Sequence, residues 1–94
     1  MVIVFVTKDK TGRAIHLSRE RWSHIQKHPE MVGKLDDIQE TLQRPDMMVP
    51  SMEDPAVCFY FRYDKSRVEH LFISVKYLNG SGFVITSFYT DKAQ

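Results

Sequence analysis

The sequence predicts a single α+β domain in which short N-terminal strands and two helices pack on a twisted antiparallel β-sheet. Three observations support this prediction. Apolar residues recur at helical spacing in the first half of the chain, and the last part is rich in β-branched and aromatic residues. An Asn-Gly pair marks a hairpin between two of these β-rich runs. A chain of 94 residues is long enough for one such domain with its own core.

The N-terminal region predicts two short strands. Residues 2–6, VIVFV, have the β-branched and aromatic composition of a strand that is buried on both faces. The polar residues 7–12 predict a turn, and residues 13–17 predict a second strand that leads into a helix.

The first helix is predicted from its end signals. Ser18 is a suitable N-cap, and Leu17 and Trp22 have the spacing of a hydrophobic staple. Proline lacks the backbone N–H and disfavours helical geometry in the residue before it. We therefore expect the helix to end at His28, with a turn at Pro29.

The second helix is predicted over residues 32–43, where apolar residues recur at spacings of four, three and four. These apolar positions are Met31, Leu35, Ile38 and Leu42. Three prolines between residues 44 and 55 then permit an edge strand at about residues 47–52, but not a central one.

Three further strands are predicted at residues 56–63, 68–78 and 82–90. Asn79-Gly80 predicts a type I′ turn between the last two, which pairs Leu78 with Ser81. From this register follow the cross-strand pairs Val75–Val84, Ile73–Thr86 and Phe72–Ser87. For the preceding hairpin, pairing of Tyr63 with Val68 predicts the pairs Arg62–Glu69 and Phe61–His70.

These registers predict two different sheet faces. One is mostly aliphatic and is expected to pack on the helices: Cys58, Tyr60, Leu71, Ile73, Val75, Val84, Thr86 and Phe88. The other is aromatic with interspersed polar groups: Phe59, Phe61, His70, Phe72, Ser74, Lys76, Phe83, Ile85, Ser87 and Tyr89. A β-bulge would exchange the two faces downstream of it.

Composition narrows the class of protein. With 43% hydrophobic and 12% aromatic residues the chain is not disordered, and a net charge of +1 excludes a globally basic nucleic-acid binder but not a local basic patch. The single cysteine, Cys58, cannot form an internal disulfide, and no signal peptide is recognisable, so we expect a reducing, cytoplasmic setting. The apolar start is too short to span a bilayer, and we expect no membrane association.

Two histidines are the leading candidates for chemistry. His24 and His28 lie four residues apart and would share one stripe of the helix. The C-terminal end of a helix favours a protonated imidazole, whereas the nearby Arg19, Arg21 and Lys27 oppose it. A histidine that changes charge near neutral pH can transfer protons.

Several stretches resemble a known group of proteins. The run L-S-x-E-R-W-x-H-I-x-x-x-H-P-E-M, the helix end E-T-L-x-x-P-D and the final F-V-I-T-S-F-Y-T-D-K are similar to phage-associated nuclease-like domains of the barnase, EndoU, colicin and RelE superfamily. The resemblance covers residues 10–92. It implies a barnase/RelE-like α+β fold, an active surface formed by the helical region together with the sheet, and RNA cleavage without a metal or other cofactor.

RNA cleavage of this kind requires few protein groups, because the 2′-hydroxyl of RNA is the nucleophile. The protein supplies a base, an acid and donors for the phosphate. The candidate catalytic residues are His24, His28, Thr86, Ser87 and Tyr89. The candidate substrate-binding residues are Arg21, Arg62 and Lys76, although Arg62 could instead form a cross-strand ion pair with Glu69. Phe72 or Tyr89 could stack on an unpaired base.

Two alternatives remain open. His24 and His28 could ligate a metal together with Glu30 or His16, although the glutamate of the H-E-x-x-H motif is absent. The domain could also be a non-catalytic module that binds RNA or protein, such as a toxin-like partner neutralised by an antitoxin or other inhibitor protein. Exposure of the aromatic face would favour a homodimer over a monomer.

Overall fold

A computed structural model describes residues 1–92 and confirms the α+β class. Its elements, in chain order, are β1 (Ile3–Lys8), β2 (Ala14–Ser18), α1 (Arg19–Ile25), a 3-10 turn (Pro29–Met31), α2 (Leu35–Gln43), β3 (Met47–Pro50), β4 (Val57–Asp64), β5 (Glu69–Leu78) and β6 (Ser81–Thr90). The six strands form one sheet in the order β1-β2-β6-β5-β4-β3.

The sheet is mixed rather than purely antiparallel. β2 runs parallel to β6, with Ile15 opposite Gly82 and His16 opposite Phe83, while the other neighbouring strands are antiparallel. The antiparallel prediction is therefore wrong for this one pair. Strand propensity indicates that a strand forms, but not which strand it will lie beside.

The first and last strands in the sheet order are edge strands. β1 pairs only with β2, and the side chains of Ile3 and Val6 are 39% and 63% exposed. The prediction that residues 2–6 are buried on both faces is thus wrong, because the helices cover only one face of the sheet and Val6 lies on the other. At the opposite edge β3 ends at Pro50, as predicted for an edge strand that contains proline.

The hydrophobic core lies between one face of the sheet and the helices, and we call this the helix face. α1 and the 3-10 turn contact β6, while α2 contacts β1, β4 and β5. The buried cluster comprises Ile15, Leu17, Ile25, Met31, Ile38, Leu42, Tyr60, Leu71, Ile73, Val75, Val84 and Tyr89. We call the other side of the sheet the open face. Within residues 1–92 no helix is long and apolar enough to cross a membrane.

Both helices are shorter than predicted. The hydroxyl oxygen of Ser18 accepts a hydrogen bond from the backbone N–H of Arg21 at 3.2 Å, which confirms the N-cap, but α1 already ends at Ile25. α2 begins at Leu35 rather than at residue 32. Gly33 has a φ of +78°, which is incompatible with helix continuation, so the helix can start only after it.

The turn between β5 and β6 agrees with the prediction. Asn79 and Gly80 have φ values of +55° and +84°, as a type I′ turn requires. Leu78 lies opposite Ser81, so the register next to the turn is confirmed.

A bulge in β6 changes the register further along this hairpin. Val75 lies opposite Val84, but Ser74 lies opposite Thr86, so Ile85 is an extra residue. The predicted pairs Ile73–Thr86 and Phe72–Ser87 are therefore wrong. The observed pairs are Ile73–Ser87 and Phe72–Phe88, and the bulge moves Ser87 and Tyr89 to the helix face and Thr86 and Phe88 to the open face.

The β4–β5 hairpin is also displaced, but by two residues. The carboxylate of Asp64 accepts hydrogen bonds from the backbone N–H groups of Ser66 and Arg67 at 2.9 and 3.2 Å, which closes a loop of four residues. A shift of two residues leaves every side chain on its predicted face. The predicted Arg62–Glu69 and Phe61–His70 pairs are wrong, and the observed pairs are Arg62–Leu71 and Phe61–Phe72.

Candidate functional site

A row of aromatic rings crosses the open face. The ring centroids of Phe61 and Phe72 are 5.3 Å apart, and those of Phe72 and Phe88 are 4.7 Å apart. The imidazole of His28 continues the row at 6.0 Å from Phe88. We call these four residues the aromatic row. The bulge creates it, since Phe88 lies on the open face only because Ile85 is an extra residue.

Further rings flank the aromatic row. Phe59 lies 5.4 Å from Phe72, and His70 lies 6.4 Å from Phe61 and 5.1 Å from Tyr63. Phe61 is 6% exposed, the rings of Phe72 and Phe88 are half-buried, and Tyr63 is 45% exposed. Because the helices pack on the opposite side of the sheet, solvent reaches part of the rings of Phe72, Phe88 and Tyr63, whereas Phe61 is buried.

The two predicted histidines occupy different kinds of position. His24 lies in the last turn of α1, whereas His28 lies beyond the helix in extended backbone before Pro29, with φ −83° and ψ 110°. Both are exposed, and neither imidazole has a hydrogen-bond partner among residues 1–92. The imidazole of His28 lies beside the sheet, with its centroid 6.0 Å from that of the Phe88 ring.

The predicted site residues of the last strand lie on both faces of the sheet. Thr86 is half-buried on the open face, as is its neighbour Phe88. Ser87 is fully buried on the helix face, and its hydroxyl donates a hydrogen bond to the carbonyl of Phe72 at 2.8 Å. Tyr89 is 8% exposed on the helix face, where burial, with the nearby charges of Asp37 and Asp64, raises its pKa to about 12.

The predicted phosphate-binding residues do not converge on one cleft. Arg62 points to the helix face, donates to the carbonyl of Arg44 at 2.5 Å and lies 3.8 Å from the carboxylate of Glu40. Lys76 forms an ion pair with Asp54 at 3.2 Å. Arg21 is half-buried on α1. Arg19, Arg21 and Lys27, which surround the two histidines in the chain, form no ion pair within residues 1–92.

A polar cavity of about 250 Å³ lies on the helix face. Charged residues of both signs from α2 and from the β4–β5 hairpin line it. The lining residues are Asp37, Glu40, Thr41, Arg62, Tyr63, Asp64, Lys65, Leu71 and Tyr89. Tyr89 and Arg62 therefore share one cavity, on the side of the sheet away from His28 and Thr86.

The predicted turn of residues 7–12 contains a buried carboxylate that sequence reasoning missed. The Asp9 side chain is fully buried and accepts hydrogen bonds from the backbone N–H groups of Thr11 and Arg13 at 2.8 and 2.9 Å. The hydroxyl of Tyr77 donates to it at 2.8 Å and is also hydrogen-bonded to that of Tyr60. The Asp-x-Thr-Gly pattern, which favours a side-chain-closed turn, was the available signal.

The charge states in this network follow from its hydrogen bonds. Burial opposes ionisation of Asp9, but hydrogen bonds from Thr11, Tyr77 and Arg13 outweigh it and lower the pKa of the carboxyl to about 2. Burial raises the pKa of Tyr60 to about 12 and also raises that of Tyr77, whose hydrogen bonds add to the effect. Asp9 is therefore ionised and both tyrosines are neutral at neutral pH.

The described residues do not supply the further ligands that a metal site at His24 and His28 would need. Across residues 1–92 there is no group of three or more His, Cys, Asp or Glu side chains that could hold a metal ion. His24 and His28 are thus not joined by Glu30 or His16 in such a group.

Comparison of the chain with protein-family models, with curated proteins and with solved structures found no significant match.

Proposed function

We propose that this protein binds single-stranded RNA on the open face of its sheet and cleaves it without a metal, as the resemblance to barnase/RelE-like nucleases implies. The observation that carries the proposal is the aromatic row, in which an exposed histidine lies 6.0 Å from the last of three phenylalanine rings that contact one another.

The rings suit unpaired bases. Each base has a π-face, and stacking on a protein aromatic ring contributes roughly 1–3 kcal/mol per base. Phe72 and Phe88 are half-buried, so their edges are fixed by neighbours while part of each ring faces solvent. A double helix hides its base faces, so this surface favours single strands over duplexes.

Cations of the segment that precedes His28 in the chain suit a phosphate backbone. Arg19, Arg21 and Lys27 belong to α1 or directly follow it, and none of them is neutralised by an ion pair within residues 1–92. The overall charge of +1 makes this a local attraction rather than a property of the whole surface. RNA binding should therefore weaken as salt is added.

His28 is the best-placed group for proton transfer. Its imidazole is exposed and free of protein hydrogen bonds among the described residues, and it borders the surface on which bases would stack. In RNA cleavage it would remove the proton of the 2′-hydroxyl or protonate the departing 5′-oxygen. His24, one turn earlier, is the candidate for the complementary step, and the hydroxyl of Thr86 is the candidate donor to the phosphate.

A non-catalytic binding module is the second candidate, and one observation favours it. Ser87, Tyr89 and Arg62 lie on the helix face, so three of the eight predicted site residues are separated from His28 by the sheet. The aromatic row would then serve to hold RNA, or to dock a protein such as an antitoxin.

The test measures binding and cleavage separately. Wild type, His24→Ala, His28→Ala and Phe72→Leu are incubated with a mixed-sequence single-stranded RNA in excess chelator, after equal folding has been verified. Phe5→Leu is the matched control, since Phe5 packs against the core on the helix side of β1. We expect 2′,3′-cyclic phosphate ends from wild type, no cleavage by His28→Ala, and weaker binding only by Phe72→Leu.

The other outcomes separate the two candidates. RNA binding without cleavage would select the non-catalytic module. Absence of both binding and cleavage, or binding that Phe72→Leu and Phe5→Leu reduce equally, would refute the role of the open face in RNA recognition.

A further inference from the structure

Arg13 is held in a fixed orientation at the β1–β2 turn. Its Nε donates hydrogen bonds to Oδ2 of Asp9 and to the hydroxyl oxygen of Thr11, both at 3.1 Å. The guanidinium carbon lies 3.7 Å from the ring centroid of Tyr77, a cation–π contact. An arginine side chain ordinarily samples many rotamers, so these three contacts remove most of the ordering cost that a ligand would otherwise impose.

The group that orients Arg13 is itself rigid. The Asp9 carboxylate is fully buried, and the backbone of its own turn and the hydroxyl of Tyr77 donate hydrogen bonds to it. Burial of a carboxylate is unfavourable unless such partners compensate for lost hydration. Because Tyr77 belongs to β5, one of the hydrogen bonds that replace the lost hydration of Asp9 comes from a strand outside the turn.

The remaining nitrogens of Arg13 are available. Its two terminal Nη groups form no hydrogen bond or ion pair with residues 1–92, and the side chain is 41% exposed. The Nη groups of Arg44 and Arg62, by contrast, lie beside the carboxylate of Glu40. A guanidinium fork matches two oxygens of one phosphate group in a planar, bidentate contact.

The surrounding charge also favours an anion. Lys8 and Lys10 are exposed on the same turn and form no ion pair within the described residues. Together with Arg13, these two lysines give the turn three positive charges, whereas Asp9 supplies one negative charge.

We propose that Arg13 is the principal ligand of an oxyanion site at the β1–β2 turn, which binds a phosphate group and is pre-organised by Asp9 and Tyr77. The site is separate from the aromatic row, since the Tyr77 side chain packs against the core of the helix face. The phosphate could belong to an RNA backbone or to a free phosphate compound. The site does not depend on RNA cleavage.

Nuclear magnetic resonance of the arginine Nε–H groups tests the site in the wild-type protein. Inorganic phosphate is titrated at constant ionic strength, with chloride as the reference. We expect a saturable shift of the Arg13 Nε–H signal, with Arg44 as the internal comparison because its guanidinium already contacts Glu40. A non-saturable shift, or equal shifts at Arg13 and Arg44, would overturn the proposal.

Two variants then test bidentate recognition. Arg13→Lys retains the charge but loses the planar fork, and we expect phosphate affinity to fall about tenfold, as for loss of one hydrogen bond to a charged group. Arg44→Lys, the matched control, should bind as wild type does. Unchanged affinity in Arg13→Lys would overturn the proposal, and thermal unfolding of both variants confirms that they are folded.

A parallel titration with a single-stranded RNA oligonucleotide identifies the source of the phosphate. If the RNA backbone occupies the site, Arg13→Lys should weaken RNA binding with little change in its salt dependence. Arg13→Gln, which also removes the charge, should lower the log–log salt slope by about 0.7, as expected for one phosphate that is no longer neutralised. If RNA binding is unaffected while inorganic phosphate still saturates the site, a free phosphate compound is the ligand.

Discussion

Replacement of Asp9 with asparagine should destabilise the protein at neutral pH and remove part of its sensitivity to acid. Hydrogen bonds lower the pKa of the Asp9 carboxyl from an ordinary 3.8 to about 2 in the folded protein. At 1.36 kcal/mol per pKa unit, the ionised carboxylate contributes about 2 to 3 kcal/mol to the free energy of unfolding. The carboxylate is buried, but its turn lies at the protein surface between exposed residues, so solvent screening makes this figure an upper limit.

The direction of the pH dependence follows from the sign of the shift. Because the pKa of Asp9 is lower in the folded state, its contribution is complete above about pH 4 and is lost as the pH falls from about 4 to about 2. Urea denaturation of wild type and Asp9→Asn at several pH values measures the contribution of Asp9 to the free energy of unfolding. The difference between the two should be about 2 to 3 kcal/mol at pH 7 and should shrink by about 2 kcal/mol at pH 2.

Asp91→Asn is the control for this experiment, since Asp91 is exposed at the end of β6. It should unfold like wild type at every pH. A stability difference between wild type and Asp9→Asn that stays constant from pH 7 to pH 2 would refute the reasoning, because it would mean that the buried carboxyl does not change its ionisation on folding in this range.

Three further predictions concern the sheet. Gly82→Ala should lower the free energy of unfolding in urea by about 1–3 kcal/mol, since a Cβ there would lie 2.9 Å from the ring of Tyr77. An unchanged free energy would mean that the ring moves freely. Ser87→Ala should lower the free energy of unfolding by about 1 kcal/mol, because it removes the hydrogen bond to the carbonyl of Phe72. RNA binding should stay unchanged, and a loss of binding without a loss of stability would contradict a structural role for Ser87. Gly80→Ala should lower the free energy of unfolding by about 1 kcal/mol because the φ of Gly80 is +84°. An unchanged midpoint of urea denaturation would contradict the positive φ at this turn.

Local signals in the chain predicted most of the elements. The Ser18 cap, the core positions of α2 and the Asn79-Gly80 turn depend on interactions within a few residues, and all three are present. The ends of the helices were less predictable, because the positive φ of Gly33 and the early end of α1 at Ile25 reflect how the chain turns back to the sheet.

Candidate site residues were harder to predict than elements. One inserted residue, Ile85, exchanged the faces of everything after it, so Phe88 joined the open face while Tyr89 moved to the helix face. No local preference marks such a bulge, because β-branched residues suit both regular and bulged strands. The catalytic roles of His24 and His28 remain predictions.

The sequence by itself determined the α+β class, the approximate positions of the strands and helices, and the tight turn, because these depend on neighbours along the chain. Tertiary structure alone decided the parallel pairing of β2 with β6, the bulge at Ile85 and the contact between His28 and Phe88. It also decided that Asp9 is buried beneath Tyr77, 68 residues away in the chain. Such contacts arise from the packing of distant segments, where the free energy of the whole core, rather than the propensity of any one segment, selects the partner.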